Sequence, residues 1–192
     1  MPGRKTKEEI ILASKSPRRI ELLKQWGLTF KIISSDIEEK TSKKRPSSIV
    51  KHLSFEKAKE IKKAVKNSVV IAADTIVVLN GKIIGKPKNA NHAMAILNSL
   101  NGSTHKVYTG VTIINDKKTS IFYDVASVKM RAISKKELNS LAGKHMDKAG
   151  AYAVQDKEDR FVKKIYGDYY TVVGLPHIKL KKELRKFNIT IK

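Results

Sequence analysis

The sequence predicts an α/β protein organised around one long mixed β-sheet. Apolar runs of strand length alternate with segments whose apolar residues recur at helical spacing. Several of these runs are joined by short turn sequences, which favours antiparallel hairpins within the sheet. Hydrophobic residues make up 41% of the 192-residue chain, enough for one core, and we find no internal repeat or low-complexity linker. We therefore expect a single domain over residues 1–192.

The first half of the chain is expected to begin with a strand, a tight turn and a helix. Residues 10–13 form a short apolar run, after which Ser16 provides an N-cap and Pro17 occupies the first helical position. Gly27 ends the apolar periodicity of this helix. The remaining predictions for this half are a strand over 30–34, an acidic turn over 35–39, a polar loop over 40–46, a helix from about 47 to 66 and a central strand over 69–79.

The second half is expected to contain mostly short strands. Asn80-Gly81 is a strong hairpin signal after the central strand. Ser134 and Glu137 have the spacing of a capping box, which predicts a helix start. The other predicted elements are strands over 82–85, 106–114, 119–130, 151–155, 160–165 and 169–173, a helix capped by Asn89 or Asn91, and a last amphipathic helix ending at Phe187.

The composition limits the classes of function. The absence of cysteine excludes disulfides and thiolate metal sites. The net charge of +22 has three explanations that stay open: a nucleic-acid binder, an enzyme that attracts small polyanions, or a lysine-rich surface without a specific partner. Residues 1–9 lack the apolar run of a signal peptide, and no run approaches the ~18 apolar residues of a membrane span. We expect a cytoplasmic protein with no membrane association.

The strand end, turn and helix start within residues 12–23 have the features of a phosphate-binding site. A helix N-terminus offers free backbone N–H groups and a positive dipole end. Ser14, Ser16, Arg18 and Arg19 add hydroxyl and guanidinium donors at the same place. An ordinary capped helix with two surface arginines explains the same residues, although arginine opposes the dipole there and so favours a bound anion.

Two charged residues fall in apolar surroundings. Asp74 is the only charged residue of the central strand, where a metal ion, a positioned water or a lysine would offset its burial; a structural carboxylate hydrogen-bonded to the backbone is the alternative. Lys57 shares a helical stripe with Leu53 and Ile61, so it is directed either into a cleft or along the apolar surface to water. Lys86, within Gly-Lys-Pro, and Glu39, after a predicted strand, are weaker candidates when each is taken alone. No Walker loop is present.

These segments resemble the Maf family of nucleotide pyrophosphatases. They fall in the family's order and cover nearly the whole chain. The matching stretches are residues 12–19 (LASKSPRR), 36–39 (DIEE), 56–58 (EKA), 72–75 (AADT), 85–87 (GKP), 100–105 (LNGSTH), 147–152 (DKAGAY) with Gln155, and 173–176 (VGLP).

The resemblance implies an elongated α/β sheet with two lobes around a central cleft, a homodimer, and hydrolysis of a nucleoside triphosphate to the monophosphate and pyrophosphate with Mg²⁺ or Mn²⁺. Asp74 would be the proton acceptor, with Glu39 as its companion carboxylate at the metal. The residues implied for the site are Ser14, Arg18 and Arg19 at the phosphates, Glu39, Lys57, Asp74 and Lys86 in the catalytic set, and Arg18, Thr75 and Gln155 in base selectivity, where they match the dTTP/UTP subgroup.

Several alternatives to this interpretation stay open. The same chemistry on another or modified nucleotide is one, and a basic nucleic-acid-binding or division-regulating protein without turnover is another. The family interpretation predicts only weak, non-specific nucleic-acid binding, and a role in nucleotide-pool cleansing or division control. One geometric condition applies to the site. Neighbours on a regular strand face opposite sides, so Asp74 and Thr75 are expected to share a cleft only if their strand bends, bulges or ends nearby.

Overall fold

The computed structural model describes residues 8–155 and 160–192, and within these ranges a seven-stranded mixed sheet is flanked by helices. The strands are β1 (Glu9–Leu12), β2 (Lys31–Ile32), β3 (Ser68–Leu79), β4 (Lys82–Ile84), β5 (Thr104–Ile114), β6 (Thr119–Met130) and β7 (Val162–Tyr166). The helices are α1 (Pro17–Gln25), α2 (Pro46–Ala64), α3 (Ala90–Leu100), α4 (Lys135–Leu141), α5 (Tyr169–Val173) and α6 (His177–Arg185). None of the described helices is long and apolar enough to cross a membrane.

The sheet has the order β2-β1-β3-β5-β6-β7, with β4 also paired to β3. Strand β1 runs parallel to β2 and β3, whereas the other pairs are antiparallel. Along one edge of β3, β1 pairs with residues 68–71 and β4 pairs with residues 77–79. Among the described residues, no strand pairs with positions 72–76 on that edge. The sheet therefore has a gap in the middle of its longest apolar strand.

The core divides into clusters that correspond to two lobes. At one end of the sheet, Leu12, Ile71 and Ile113 pack with residues of α1 and α6. At the other end, Val77 and Met130 pack with residues of α3 and α4. Helix α2 lies against the opposite face of the sheet. Strand β3 thus contributes Ile71 to one lobe and Val77 to the other, and its gap lies between the two lobes.

Most of the expected elements are present, including the predicted hairpin turn and the predicted capping box. The hairpin at Asn80-Gly81 joins β3 to β4. The capping box of Ser134 and Glu137 is complete. Asn89, rather than Asn91, caps α3 by accepting a hydrogen bond from the His92 backbone N–H. Ser16 occupies the N-cap of α1, but its side chain makes no capping bond there.

Two of the predicted strands are wrong. Residues 169–173 form helix α5, at whose start the Asp168 side chain accepts a hydrogen bond from the Tyr170 N–H, and which ends at Gly174, whose φ is 117°. Aromatic and β-branched residues favour a strand, but capping and burial decide the structure here. Residues 151–155 form an irregular turn, since Gly150 and Ala151 both have positive φ, at 82° and 56°, and break an extended run.

Candidate active site

A cleft of about 430 Å³ opens at the gap in the sheet. Its wall contains hydroxyl, cationic and carboxylate side chains at one end and mainly apolar side chains at the other. Eight of the nine predicted site residues line it: Ser14, Arg18, Arg19, Glu39, Lys57, Asp74, Thr75 and Lys86. The ninth, Gln155, is not part of the wall that the described residues form, although Val154 beside it is. The polar signals of the sequence therefore meet in one place.

The gap explains how Asp74 and Thr75 both reach the cleft. The expectation that β3 must bend, bulge or end nearby is wrong, because its pairing with β5 is regular from Val70 to Val78. Asp74 and Thr75 do face opposite sides of the sheet, as strand geometry requires. It is the neighbouring strands that stop. Both faces of β3 are accessible from the unpaired edge, so one cleft takes side chains from both.

Lys57 joins two carboxylates at the polar end of the cleft. Its Nζ donates to Asp74 Oδ1 and to Glu39 Oε1, each at 2.7 Å. The side chains of Lys57 and Asp74 are 12% and 8% exposed, whereas Glu39 is 53% exposed. A buried carboxylate is thus paired with a buried cation, which offsets part of the cost of placing a charge in a strand. Lys57 was expected to point either into a cleft or along the apolar surface to water, and the structure shows that it points into the cleft.

Glu39 is ionised more easily than an ordinary glutamate. Partial burial alone would raise the pKa of its carboxyl. The hydrogen bond and charge of Lys57, followed by the charges of Lys86 and Arg19, outweigh burial and hold that pKa below the usual value. The polar end of the cleft therefore keeps a negative charge on Glu39 near neutral pH, next to a set of cations.

Helix α2 is held close to the sheet at the position of a glycine. A Cβ added to Gly110 of β5 would lie 2.3 Å from the Val50 carbonyl oxygen of α2. Further along, Ala58 and Ile61 of the helix pack against β3. This close approach fixes the distance between α2 and the sheet. That distance allows the Lys57 side chain to contact Asp74.

Arg19 is largely engaged by the fold. Its Nε donates to the Gly174 carbonyl at 3.0 Å. One terminal nitrogen donates to Ser14 Oγ and the Ala73 carbonyl, and the other donates to Thr75 Oγ1 at 2.9 Å. Burial lowers the pKa of its guanidinium to about 10. Arg19 thus ties α1, the open edge of β3 and the end of α5 together, with one of its five N–H donors left for a ligand.

Arg18 is available to a ligand. It lines the cleft, and its buried Nε has no hydrogen-bond partner among the described residues. Burial lowers the pKa of the guanidinium, while Asp147 and Tyr152 oppose that shift. A buried guanidinium N–H without an acceptor is costly, so its place in the cleft favours an incoming acceptor.

Ser14 and Lys86 complete the polar end. Ser14 Oγ accepts from the Ser16 backbone N–H at 3.2 Å, which holds the turn before α1. Lys86 is exposed and carries its charge toward Glu39. Lys15 also lines the cleft, but its side chain is largely exposed and its Nζ pairs with Asp36 on the surface.

The other end of the cleft is apolar and contains a buried pair that the sequence reasoning did not single out. Tyr152 lines the cleft, and its hydroxyl is hydrogen-bonded to Nε2 of His105 at 2.7 Å. Burial lowers the pKa of His105 to about 4 and raises that of Tyr152. The only sequence signal for His105 and Tyr152 is that they end the family motifs at 100–105 and 147–152. Apolar side chains that line the cleft include Val77, Val107, Ala149, Val154, Val172 and Val173.

The carboxylates fit a cation that is shared with a substrate. Among the described residues, no group of three or more histidines, cysteines or acids could by itself hold a metal ion. Glu39 and Asp74 offer two carboxylates on either side of Lys57. Mg²⁺ commonly binds one or two carboxylates and completes its shell with substrate phosphates and water. The donor set therefore suits Mg²⁺ or Mn²⁺ bound together with a phosphate ligand.

Comparison with known proteins gives a family, named relatives and a structural neighbour. The family model for Maf-like proteins matches residues 9–187. A dTTP/UTP pyrophosphatase of Elusimicrobium minutum is 46% identical over 181 residues, covering 93% of this chain and 98% of that protein. A dTTP/UTP pyrophosphatase of Dictyoglomus thermophilum is 41% identical over 191 residues, covering 96% and 99%. The Staphylococcus aureus Ham1 protein structure matches with a TM-score of 0.55 at 17% identity, covering 94% of this chain and all of that one, and shows the same fold.

Proposed function

This chain belongs to the Maf family, and we propose that within it the chain hydrolyses dTTP and UTP to the nucleoside monophosphate and pyrophosphate. Its near-full-length relatives of 41–46% identity are named dTTP/UTP pyrophosphatases, and the chain is a nucleoside triphosphate pyrophosphatase. The observation that carries the mechanism is the bridge that the buried Lys57 makes between Asp74 and Glu39, at the polar end of a cleft whose other end is apolar. A triphosphate suits the first end and a base suits the second.

Asp74 is proposed as the proton acceptor for the attacking water. Water attacks the α-phosphorus and loses a proton to Asp74, while the bond from that phosphorus to the α–β bridging oxygen breaks and pyrophosphate leaves. Lys57 holds the Asp74 carboxylate at 2.7 Å and fixes its direction. A divalent cation, Mg²⁺ or Mn²⁺, held by Glu39 and Asp74 with the substrate phosphates, would supply charge neutralisation.

The cations and donors at the polar end are proposed to bind the triphosphate. Lys86 lies on the open side of the cleft, where it meets the charge that builds on the leaving pyrophosphate. Ser14 and the first turn of α1 present a hydroxyl and backbone N–H groups to a phosphate. Arg19 acts mainly by holding this turn against β3, with one donor left over.

Base selectivity is proposed to depend on Arg18, with Thr75 and Gln155 in supporting positions. Uracil and thymine present an acceptor, O4, where cytosine presents an amino donor. A guanidinium only donates, so Arg18 would pair with O4 and face the cytosine amino group unpaired. Such an unpaired buried donor costs ~1–3 kcal/mol, roughly a ten- to hundredfold loss for CTP. Thr75 Oγ1 bonds Arg19 and Thr109, which makes its part indirect.

A panel of nucleoside triphosphates, assayed for pyrophosphate release, tests this function. We expect UTP and dTTP to be hydrolysed with similar kcat/KM and CTP more slowly. Arg18→Ala and Gln155→Ala should each narrow that difference. Equal rates for the three nucleotides in the wild type would contradict the pyrimidine selectivity, and unchanged selectivity in both variants would remove these residues from it. A faster reaction with a modified guanosine triphosphate would assign the chemistry to another base.

The assembly, metal and cellular setting are part of the same proposal. We propose a cytoplasmic homodimer whose activity requires Mg²⁺ or Mn²⁺ and cleanses the nucleotide pool or influences division. Sedimentation of the purified protein measures the assembly. Removal of divalent ions with a chelator should abolish turnover, and added Mg²⁺ or Mn²⁺ should restore it. Turnover that persists in the chelator would contradict the metal requirement.

A further inference from the structure

Among the described residues, one face of the sheet is left uncovered beyond α2. Helix α2 lies on this face, over β3, β5 and part of β6. The strand register places Tyr123 opposite Gly110, which α2 covers, and places Tyr108, Val125 and Tyr166 on the same face farther along β5, β6 and β7. Tyr123, Val125 and Tyr166 are 38%, 39% and 54% exposed. We call this surface, defined by Tyr108, Tyr123, Val125 and Tyr166, the open face.

Lysines surround the aromatic rings of the open face. Lys51 Nζ lies 5.8 Å from the Tyr123 ring centroid, and Lys164 Nζ lies 5.0 Å from that of Tyr166. Lys106 is exposed on β5, opposite the β6 residue that faces Tyr166. Within the described part of the chain, none of these three lysines pairs with a carboxylate, whereas Lys179, also near Tyr123, is paired with an acid. The open face thus combines flat aromatic surface with unpaired positive charge.

The charge pattern decides between two occupants of this surface. A second copy of the chain would bring lysines against lysines on a protein whose net charge is already +22. A single-stranded nucleic acid has phosphates for the lysines and bases whose faces stack on tyrosine. A duplex offers the phosphates, but its bases are already stacked inside the helix. At the free edge of β6, a groove of about 380 Å³ beside Lys51 and Tyr123 gives room for a base and its phosphate.

We propose that the open face binds single-stranded nucleic acid, with bases stacked on Tyr123 and Tyr166 and phosphates on Lys51, Lys106 and Lys164. Binding of this kind tolerates any sequence, because every base has a π-face. None of these residues lines the catalytic cleft. The site is therefore separate from nucleotide hydrolysis and does not depend on the proposed substrate.

Fluorescence anisotropy with a labelled single-stranded oligodeoxyadenylate of about 16 nucleotides tests the proposal. Tyr123→Leu/Tyr166→Leu keeps apolar bulk and removes the rings, and affinity should fall at least about fivefold for each stacked base lost. Lys51→Gln/Lys106→Gln/Lys164→Gln should lower the slope of log affinity against log salt by about 2, at roughly 0.7 per phosphate contact. A duplex of the same length should bind at roughly 10⁻⁴–10⁻⁶ M.

A charge-matched variant separates the open face from general charge. Lys24→Gln/Lys135→Gln/Lys136→Gln removes the same charge from exposed lysines of α1 and α4. It should leave the salt slope near the wild-type value, and all the variants should keep wild-type pyrophosphate release. Equal loss of oligonucleotide affinity in both lysine variants would overturn the proposal. It would also be overturned if the tyrosine variant bound normally, or if it changed only the sedimentation of the protein, which would assign the face to a second copy.

Discussion

Replacing Asp74 with asparagine should stop catalysis while preserving the fold. The side chain is 8% exposed, and its Oδ1 accepts from Lys57 at 2.7 Å. Asparagine has nearly the same shape, and its amide oxygen can accept the same hydrogen bond. Lys57 also keeps Glu39 as a partner at 2.7 Å, so the substitution leaves no unpaired buried cation. What the variant loses is the negative charge that we propose accepts a proton from water.

The two expected magnitudes differ strongly. Loss of a general base lowers kcat by about 10²–10⁴-fold, which corresponds to about 3–5 kcal/mol in the barrier. Breaking an isolated buried ion pair costs about 3–5 kcal/mol of stability. Because Glu39 remains, we expect the loss for Asp74→Asn to be nearer the value of one hydrogen bond, about 1 kcal/mol. The variant should therefore melt within a few degrees of the wild type, at about 2–4 °C per kcal/mol.

Pyrophosphate release from UTP, with Mg²⁺ in excess and over a range of substrate concentrations, measures the effect. Asp36→Asn is the matched control, because Asp36 makes the same kind of single ion pair, with Lys15, at an exposed position outside the cleft. It should retain wild-type kcat. An Asp74→Asn protein that folds normally and turns over near the wild-type rate would refute the assignment of the base. Equal losses in the two variants would show that the assay responds to charge in general.

Three further substitutions test the structure around the cleft. Lys57→Met removes the cation that most strongly lowers the pKa of Glu39, so the acid limb of the pH–rate profile should move to higher pH. Burial lowers the pKa of His105 to about 4, so between pH 6.5 and pH 4 only the unfolded chain takes up the proton. The free energy of unfolding therefore falls by up to about 3 kcal/mol as the pH drops through that range. His105→Gln should remove this pH dependence of stability in denaturant melts. Gly110→Ala puts a methyl group against the Val50 carbonyl, which should cost about 3 kcal/mol or more in thermal melts and lower kcat by displacing α2.

Each of these substitutions has a control on the same chain. Lys63→Met removes an exposed lysine of α2 and should leave the pH profile unchanged. His52→Gln, on the same helix, should keep the stability slope between pH 6.5 and 4. Gly85→Ala adds a methyl group with no heavy atom within 4 Å and should melt like the wild type. The Lys57 prediction is contradicted if the pH–rate profile of Lys57→Met coincides with that of Lys63→Met. The His105 prediction is contradicted if stability still falls between pH 6.5 and 4 in His105→Gln. The Gly110 prediction is contradicted if Gly110→Ala melts like the wild type.

Sequence patterns predicted the elements whose signals are local. The sequence predicts the central strand over 69–79, and the strand spans Ser68–Leu79, because its apolar run is long and is interrupted only by Asp74 and Thr75. The helix after Ser134 follows from a side-chain and backbone exchange within four residues. The expected strand at 169–173 failed for the opposite reason. Its composition favours a strand, but the Asp168 cap, the left-handed Gly174 and burial at the end of the cleft produce a helix.

The site was predictable as a list of residues but not as a set of contacts. A charge in an apolar pattern marks Asp74 and Lys57, since burial of charge is costly wherever it occurs. Nothing local in the sequence shows that Lys57 also bonds Glu39. Nor does it show that Arg19 uses four of its N–H donors in hydrogen bonds within the fold, whereas the buried Nε of Arg18 has no partner among the described residues. These assignments depend on the distance between elements that are far apart in the chain, which periodicity does not encode.

The position of the cleft follows from the way β3 changes partners along one edge. A parallel neighbour must be followed by a connection, so β1 ends at residue 12 and the turn to α1 places Ser14 and Arg18 at the start of the gap. An antiparallel neighbour begins after the Asn80-Gly81 hairpin, so β4 runs back toward the gap from the other end and leads to Lys86. Asp74 lies midway between them on β3. Strand direction therefore brings three distant segments to one cleft, where they contribute hydroxyl and guanidinium donors, a carboxylate and a lysine, and no contiguous loop carries the whole set.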